Sequence, residues 1–433
     1  MRKTVLTIGL FGLIALAGLM TACSNSDDNN TAAEGQQGGL DDEGGKVLTE
    51  GEYTTGINDF SFSMLQKVVS RNGSESTICS PVSAASLLAM MNDGATDVSR
   101  KELLKVLGFS ESNTEGLNKY FQKLMVDLPA TDKTTTMHMA NAMYVRKSYE
   151  FLPAFTNDMK LYYGATAETL DFDTQQAVEH INAWCNTQTE GIIPEIIKQI
   201  DPQTLSILVN AICFKGKWTD PFISETTQKA SFKKENGNSV QVDMMGGAGE
   251  KAEYYEAADY EAVRMNYGEQ YGKAGQYAMT VILPKEGKKT ADIISSLNAT
   301  AWKTLSDQLK QPTDAVLTIN MPRFTVQTKE GVNENLIDLL TQMGVPSIFS
   351  SETSTLTKIL KDQEVLYVSK MMQRAKINVT EEGTEAAAVT YVGAEGATGG
   401  ETKHINFKAN HPFIYVISDR TTGVVYFLGT FQG

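Results

Sequence analysis

Histidine side chains are the first candidates for catalysis in this chain, because imidazole can act as a general base or a metal ligand near neutral pH. The sequence contains four of them, His138, His180, His404 and His411. None lies in an HExxH metal site, and neither a GxSxG nucleophile motif nor a GxxxxGK[ST] phosphate loop occurs. We therefore expect no enzyme, no metal ion and no other cofactor, and we expect His411, which precedes Pro412 in a strand, to be a packed or an edge histidine.

Cysteine thiols could serve as nucleophiles, ligands or disulfide partners, and the chain has four. Cys79, Cys185 and Cys213 each lie in an apolar helix or strand pattern, and none forms a CxxC pair. These positions predict buried thiols rather than a disulfide framework. Cys23 differs, because it follows an apolar N-terminal run and precedes a polar tract.

The N-terminus predicts export. Residues 1–22 contain Arg2 and Lys3, followed by an apolar run that glycines interrupt. This run is shorter than a transmembrane helix requires, and its glycines disfavour a continuous helix. The small residues before Cys23 resemble a bacterial lipobox, which implies that this cysteine is lipidated. Residues 23–52 would form a disordered acidic tether. We expect anchoring to a bacterial membrane, by preference the outer one, with periplasmic and surface orientations both open.

The charge balance indicates which partners to expect. The formal net charge is −14, of which the tether contributes −7. An acidic chain of this kind lacks the basic face that phosphate binding needs. We therefore expect no nucleic acid partner.

The segment from Thr380 to Lys403 has an unusual composition for a long loop. Between Thr384 and Thr398 it has neither a proline nor a basic residue, and Ala, Val, Thr and Gly dominate. Every second residue from Thr384 is small or weakly apolar, whereas the other register holds Glu385 and Glu395. Because strand side chains alternate between two faces, one face of this segment could be buried. The pattern is that of a strand kept outside a sheet.

This segment resembles the hinge of the reactive-centre loop of inhibitory serpins, and the run from Phe407 to Phe431 is similar to the last strands of that fold. The resemblance implies a loop over about residues 381–403 and a serpin domain over residues 53–433. The hinge residues that carry it are Glu381, Gly383, Thr384, Glu385, Ala386, Ala387, Ala388 and Thr390.

The resemblance implies a mechanism. A target protease attacks the loop and forms an acyl-enzyme, and the released arm from Thr384 to Ala397 enters the central sheet as a new strand. At about 3.3 Å per residue the arm spans on the order of 45 Å. Counting from Gly383 puts the reactive bond at Ala397-Thr398, and counting back from Pro412 puts it at Thr398-Gly399. Either bond favours elastase-like or subtilisin-like serine proteases, and papain-like cysteine proteases stay open.

Two more regions are similar to serpin motifs at matching positions. Ser80, Ser83 and Asn210 resemble the shutter, under the place where the central sheet opens, and Trp218 resembles the breach above it. Many serpins have a shutter histidine where this chain has Gln373. An amide can donate and accept, and we expect it to bond toward Ser83 and Asn210.

Periodicity supports an α+β chain with helices in the first half and strands in the second. Asn58 is predicted to cap the first helix, residues 290–309 to form one helix, and residues 314–327 one strand. The resemblance implies the serpin fold, with mostly antiparallel or mixed sheets, a large central sheet with two others, and about eight or nine helices around them.

Three functions follow, in order of support. The first is a monomeric suicide inhibitor that forms a covalent complex with a protease, which the small-residue hinge favours. The second is a non-inhibitory serpin that acts as a surface binding protein, for which charged or bulky inward residues would be typical. The third is an unrelated lipoprotein that binds glycan or nutrient.

Overall fold

The computed structural model describes residues 45–110, 112–129, 131–248, 252–312, 315–329, 335–361, 366–384 and 403–433. The predicted signal peptide, Cys23 and most of the predicted tether lie outside these ranges, as do residues 385–402 of the predicted loop. Within the ranges described, no helix is both long and apolar enough to cross a bilayer.

The first helix, α1 (Glu50–Asn72), begins inside the segment predicted to be tether. Thr49 and Glu52 form a capping box, in which the Glu52 carboxylate accepts from the Thr49 N–H at 2.7 Å. The predicted cap, Asn58, lies instead within the helix, where it is buried and bonds the backbone of Gly423 and Val425. The prediction at Asn58 is wrong because the capping box supplies an earlier start.

Eight further α-helices occur in the described part of the chain, and α2 is buried along its whole length. They are α2 (Pro81–Asp93), α3 (Asp97–Val106), α4 (Thr114–Gln122), α5 (Pro153–Tyr163), α6 (Gln175–Gln188), α7 (Thr290–Ser296), α8 (Ala299–Leu309) and α9 (Ile337–Met343).

The central sheet positions the candidate site. Its strands are β2 (Thr135–Arg146), β3 (Thr166–Leu170), β4 (Ser206–Lys217), β11 (Phe324–Gln327), β12 (Lys370–Thr380) and β13 (Gly383–Thr384). Their spatial order is β11-β12-β13-β4-β2-β3. Strands β4 and β12 pair in parallel along part of their length, which makes this sheet mixed.

Two more sheets complete the fold. One has the strand order β1-β16-β15-β9-β8-β7, and the other has the strand order β14-β10-β6-β5. Their strands are β1 (Thr77–Cys79), β5 (Gln228–Lys233), β6 (Ser239–Ala248), β7 (Glu253–Glu256), β8 (Tyr260–Gly268), β9 (Ala274–Pro284), β10 (Ala315–Pro322), β14 (Lys403–Lys408), β15 (Phe413–Asp419) and β16 (Val425–Phe431).

The two faces of the central sheet are both covered. One face packs on the main core with α2, and the other packs under α6 and residues 189–205, which we call the connector. Ile193, Ile196 and Ile197 of the connector share an apolar cluster with Val209 of β4 and Met372 of β12. The connector therefore lies over the boundary between β4 and β12.

The thiols have the state that the sequence predicts. Cys79, Cys185 and Cys213 are all buried, and no disulfide bond joins any two of them. His411 is half-buried and bonds the carbonyl of Pro284 at 2.7 Å, as a packed histidine would.

Candidate functional site

The candidate site is the seam, by which we mean the boundary between β4 and β12. Along its lower part the two strands pair directly, from Lys370 opposite Ile207 to Ala375 opposite Ile212. Along its upper part they separate and β13 lies between them. A strand added to this sheet at the seam would have to replace the lower pairing with hydrogen bonds of its own.

The hinge already occupies the top of the seam. The sequence predicts a segment outside the sheet, but Gly383 and Thr384 pair with Val379 and Thr380 on one side and with β4 on the other. The hinge glycine and the first residue of the expected insert, Thr384, are therefore in place in the intact chain. The difference arises because Thr384 is small enough to be buried with its hydroxyl bonded.

Thr384 has no exposed surface. Its Oγ1 lies 2.7 Å from the hydroxyl of Tyr267, whose ring stacks on Trp218 with centroids 4.3 Å apart. Burial raises the pKa of Tyr267, so the phenol stays protonated and can take part in this bond. Residue 384 thus has a polar partner inside an otherwise aromatic pocket.

Gly383 fits the seam because it has no side chain. Its φ is +152°, and a Cβ placed there would lie 2.0 Å from the carbonyl oxygen of Gly216 in β4. Backbone of a central strand cannot move aside as a flexible side chain can. Any other residue at this position must therefore shift the hinge away from β4.

We expect Gly383→Ala to expel the hinge from the seam and to destabilise the intact protein by about 2–3 kcal/mol, from backbone strain and steric overlap. Loss of Thr384 from its pocket would expose Trp218, so tryptophan emission should shift to the red. Gly287→Ala is the matched control, because Gly287 also has a positive φ but has no atom near its added Cβ. Equal effects in both variants would contradict the role of the overlap.

Glu381 anchors the turn before the hinge. Its carboxylate accepts from Arg323 Nε at 3.1 Å, from Arg323 Nη2 at 2.5 Å and from Thr227 Oγ1 at 2.6 Å. Burial alone would raise the pKa of Glu381, but the hydrogen bonds from Arg323 and Thr227 keep it below its usual range. The carboxylate is therefore charged at neutral pH. It holds the turn after β12 against Arg323, which lies between β10 and β11, and against Thr227, which immediately precedes β5.

Trp218 lies beside the turn that precedes the hinge. Its indole Nε1 donates to the carbonyl of Thr380 at 3.0 Å, and its backbone N–H donates to Glu382 at 2.8 Å. It also contacts Tyr267, which holds Thr384. One tryptophan thus supports both ends of the turn that brings the chain back into the sheet.

The shutter differs in detail from the prediction. Gln373 Oε1 accepts from the Ser80 N–H at 3.2 Å, and Nε2 donates to the Ser80 carbonyl at 2.9 Å and to Asn210 Oδ1 at 3.4 Å. The expected bond to Ser83 is wrong, since Ser83 Oγ has no hydrogen-bond partner within the described ranges. The reason is that Ser80, at the start of α2, presents both backbone groups to the amide.

The structure thus brings Glu381, Gly383, Thr384 and Trp218 together at the top of the seam, and Ser80, Asn210 and Gln373 halfway down it. Tyr267, Arg323 and Asn141 also belong to the site, although no motif indicated them; Asn141 accepts from Asn210 Nδ2 at 2.9 Å. The other predicted residues fall outside the described ranges: Glu385, Ala386, Ala387, Ala388, Thr390, Ala397, Thr398 and Gly399.

The chain is similar to known proteins over most of its length. A family model described as "Serpin (serine protease inhibitor)" matches residues 55–432. Antithrombin-III of Homo sapiens is 32% identical over 369 residues, which cover 83% of this chain and 77% of the relative. Leukocyte elastase inhibitor A of Mus musculus is 29% identical, covering 86% of this chain and 96% of the relative.

Solved structures share the arrangement of helices and sheets. The native thermophilic serpin tengpin has a TM-score of 0.78 at 26% identity, covering 90% of this chain and 96% of that one. Human thyroxine-binding globulin complexed with its hormone has a TM-score of 0.77 at 25% identity, covering 88% and 98%.

Proposed function

The chain belongs to the serpin family, and from this membership we propose that it is a suicide-substrate inhibitor of endopeptidases. The family and the α+β fold with three sheets agree with the sequence prediction and are confirmed. Many members of the family are protease inhibitors, whereas others, such as thyroxine-binding globulin, are named for the small molecule that they bind. The assignment to the inhibitory group rests on the hinge.

The observation that carries the proposal is the position of Thr384. This residue lies fully buried between β4 and β12, at the top of a seam whose lower part is closed by direct strand pairing. The residues that follow it in sequence have small side chains on the register of Thr384. A cut loop could therefore continue downward from a start that the intact protein has already made.

The covalent step is an acyl transfer from the loop to the nucleophile of the protease. The protease nucleophile forms an ester or thioester with the carbonyl of Ala397, and the amine of Thr398 leaves with the proton from the nucleophile. Insertion of the arm then carries the attached protease along the sheet before water reaches the acyl bond. A bond cut at Thr398-Gly399 would follow the same steps with one more residue on the arm.

Small residues at the reactive bond support elastase-like or subtilisin-like serine proteases as targets. The similarity to leukocyte elastase inhibitor A is in keeping with this class. Papain-like cysteine proteases are a second class, because the same acyl chemistry proceeds through a thioester.

The proposed anchor is a lipid on Cys23, which would attach a monomeric inhibitor to a bacterial membrane, by preference the outer one. It rests on the order of apolar run, small residues and cysteine in residues 1–23. The acidic segment that follows would hold the inhibitory domain away from the surface.

Incubation of the soluble part with elastase, subtilisin, papain, trypsin and chymotrypsin tests the proposal. We expect detergent-stable complexes with the first two proteases, and a released C-terminal peptide that starts at Thr398 or Gly399 under denaturing mass spectrometry. Cleavage without a complex by every protease would contradict inhibition. A peptide with another start would contradict the position of the reactive bond.

The second candidate is a binding serpin, which the structural similarity to thyroxine-binding globulin favours. Such a protein needs no rapid insertion of the cut loop. Complex formation separates the two candidates, because only the inhibitor retains the protease.

A further inference from the structure

Asp93 is a buried carboxyl group that the hinge and seam do not use. It lies at the C-terminal end of α2 and is 3% exposed. Its Oδ1 accepts from Asn118 Nδ2 of α4 at 2.6 Å, whereas its Oδ2 has no hydrogen-bond partner within the described ranges. A carboxylate with one buried, unbonded oxygen is costly, and a carboxylic acid is less so.

Asn118 is fixed by a second contact. The hydroxyl of Tyr163 on α5 donates to Asn118 Oδ1 at 2.7 Å, which turns the amide nitrogen toward Asp93. The three side chains thus form a chain of bonds from α5 through α4 to α2. Its last member, Asp93, determines the charge of the joint.

The charged and titratable groups around Asp93 come from three directions. Asp158 on α5 is 5% exposed and repels a second negative charge, while Arg100 on α3 and Lys358 after α9 attract it. Burial is the largest influence, and together these raise the pKa of Asp93 to about 7. The titratable groups of α5 on this side are Asp158, Tyr162 and Tyr163.

The opposite end of α2 lies at the seam. Ser80, immediately before α2, bonds Gln373 of β12 through its backbone and Tyr426 of β16 through its hydroxyl. Because α2 is a single buried helix, its packing against α4 and α5 at one end is connected to the shutter at the other.

We propose that Asp93 is a proton-controlled joint between α2, α4 and α5. In the neutral form the carboxyl group packs at the helix end without a charge to solvate. In the ionised form the unbonded Oδ2 and the nearby Asp158 weaken the contact between the three helices. The protein is therefore packed more tightly below neutral pH than above it.

The direction of the pH dependence follows from linkage. A carboxyl group with a folded-state pKa near 7 and an ordinary value of 3.8 binds more protons folded than unfolded between these limits. Stability from this group is full below about pH 4, falls as the pH rises, and is lost above about pH 7.

Asp93→Asn tests the joint, since the amide mimics the neutral acid and can still accept from Asn118. At a fixed scan rate we expect the melting temperature of the variant, relative to the wild type, to be about 3–6 °C higher at pH 8 than at pH 5, because the wild type loses stability over this range and the amide does not titrate. Asp127→Asn, at an exposed site beyond α4, is the control and should show no such pH-dependent difference. A difference for Asp93→Asn that is the same at both pH values would overturn the proposal.

Hydrogen exchange gives a local readout that does not depend on melting. Corrected for intrinsic rates, peptides from α4 and α5 should lose protection in the wild type between pH 5 and pH 8, and should not in Asp93→Asn. Asp158→Asn should move this loss to lower pH, because the negative charge of Asp158 raises the pKa of Asp93 and its removal makes ionisation easier. Loss of protection that is equal in wild type and Asp93→Asn would contradict the joint.

The joint does not require the protein to be an inhibitor. Slower insertion of the loop at pH 5 than at pH 8 would also follow from the joint, but that effect exists only if the proposed inhibitory function is correct. A protein that forms no protease complex but shows the pH-dependent melting difference would contradict the proposed function and support the joint.

Discussion

Replacing Thr384 by arginine is expected to turn the inhibitor into a substrate. The side chain at this position is fully buried beside Tyr267 and Trp218, and the group that bonds it is the uncharged phenol of Tyr267, which cannot neutralise a cation. Burying an unpaired guanidinium would cost several kcal/mol, so the arm would remain outside while the acyl-enzyme hydrolyses. The measurement is the molar ratio of inhibitor consumed to protease inhibited, which should rise at least about tenfold, since about 1.4 kcal/mol is a factor of ten.

Two controls make this result specific. Thr384→Ser keeps the hydroxyl and should leave the ratio near that of the wild type. Glu385→Arg introduces the same group on the register that the sequence predicts to face water, and should have a small effect. A detergent-stable complex of Thr384→Arg at an unchanged ratio would contradict insertion through the seam.

Cleavage of the loop without a complex is expected to stabilise the protein strongly. The arm would replace the pairing of β4 with β12 by two new rows of hydrogen bonds, one on each side. With about 2 °C per kcal/mol for a chain of this size, a gain of roughly 10 kcal/mol would raise the melting temperature on the order of 20 °C. Calorimetry of intact and cut protein at one scan rate measures this shift.

The variant Thr384→Arg also serves as the control for this second experiment. It should be cut at the same bond yet gain little stability, because its arm cannot pass Tyr267. An unchanged melting temperature of the cut wild type would mean that the arm stays outside, and would favour the binding serpin.

The sequence predicted the long elements better than the short ones. Helix α6 and strand β4 have strong apolar periodicity, which predicts a helix over residues 174–188 and a strand over residues 206–214, close to the observed bounds. Strands β3 and β7 were not predicted, because each is short, half-exposed and formed by pairing with a neighbour. Pairing of that kind is a tertiary effect that a local pattern does not contain.

Two segments that the sequence predicts as one element each are divided into two elements in the structure. Asn298 ends the predicted helix over residues 290–309 by capping α8, with its Oδ1 accepting from Ala301 at 2.9 Å. The strand over residues 314–327 breaks at Arg323, which follows Pro322 and bonds Glu381 instead of continuing one ladder. Both breaks had local signals, an N-cap asparagine and a proline.

The sequence predicts those residues of the site that belong to recognisable motifs. Glu381, Gly383, Thr384 and Trp218 were identified from sequence, but their depth in the sheet was not, because burial depends on β4, which is far away in the chain. Tyr267 has no distinguishing motif and becomes a site residue only when β8 packs behind β4. The orientation of Gln373 likewise depends on Ser80, which follows β1.

The order of strands in the six-stranded sheet β1-β16-β15-β9-β8-β7 has a consequence for biosynthesis. Strand β16 ends at Phe431, and it lies between β1, near residue 78, and β15. An interior part of the sheet is thus translated last, and contacts across about 350 residues close slowly. A nascent chain that has not yet released Val425–Phe431 has a gap between β1 and β15, so this sheet cannot close before residue 431 has left the ribosome.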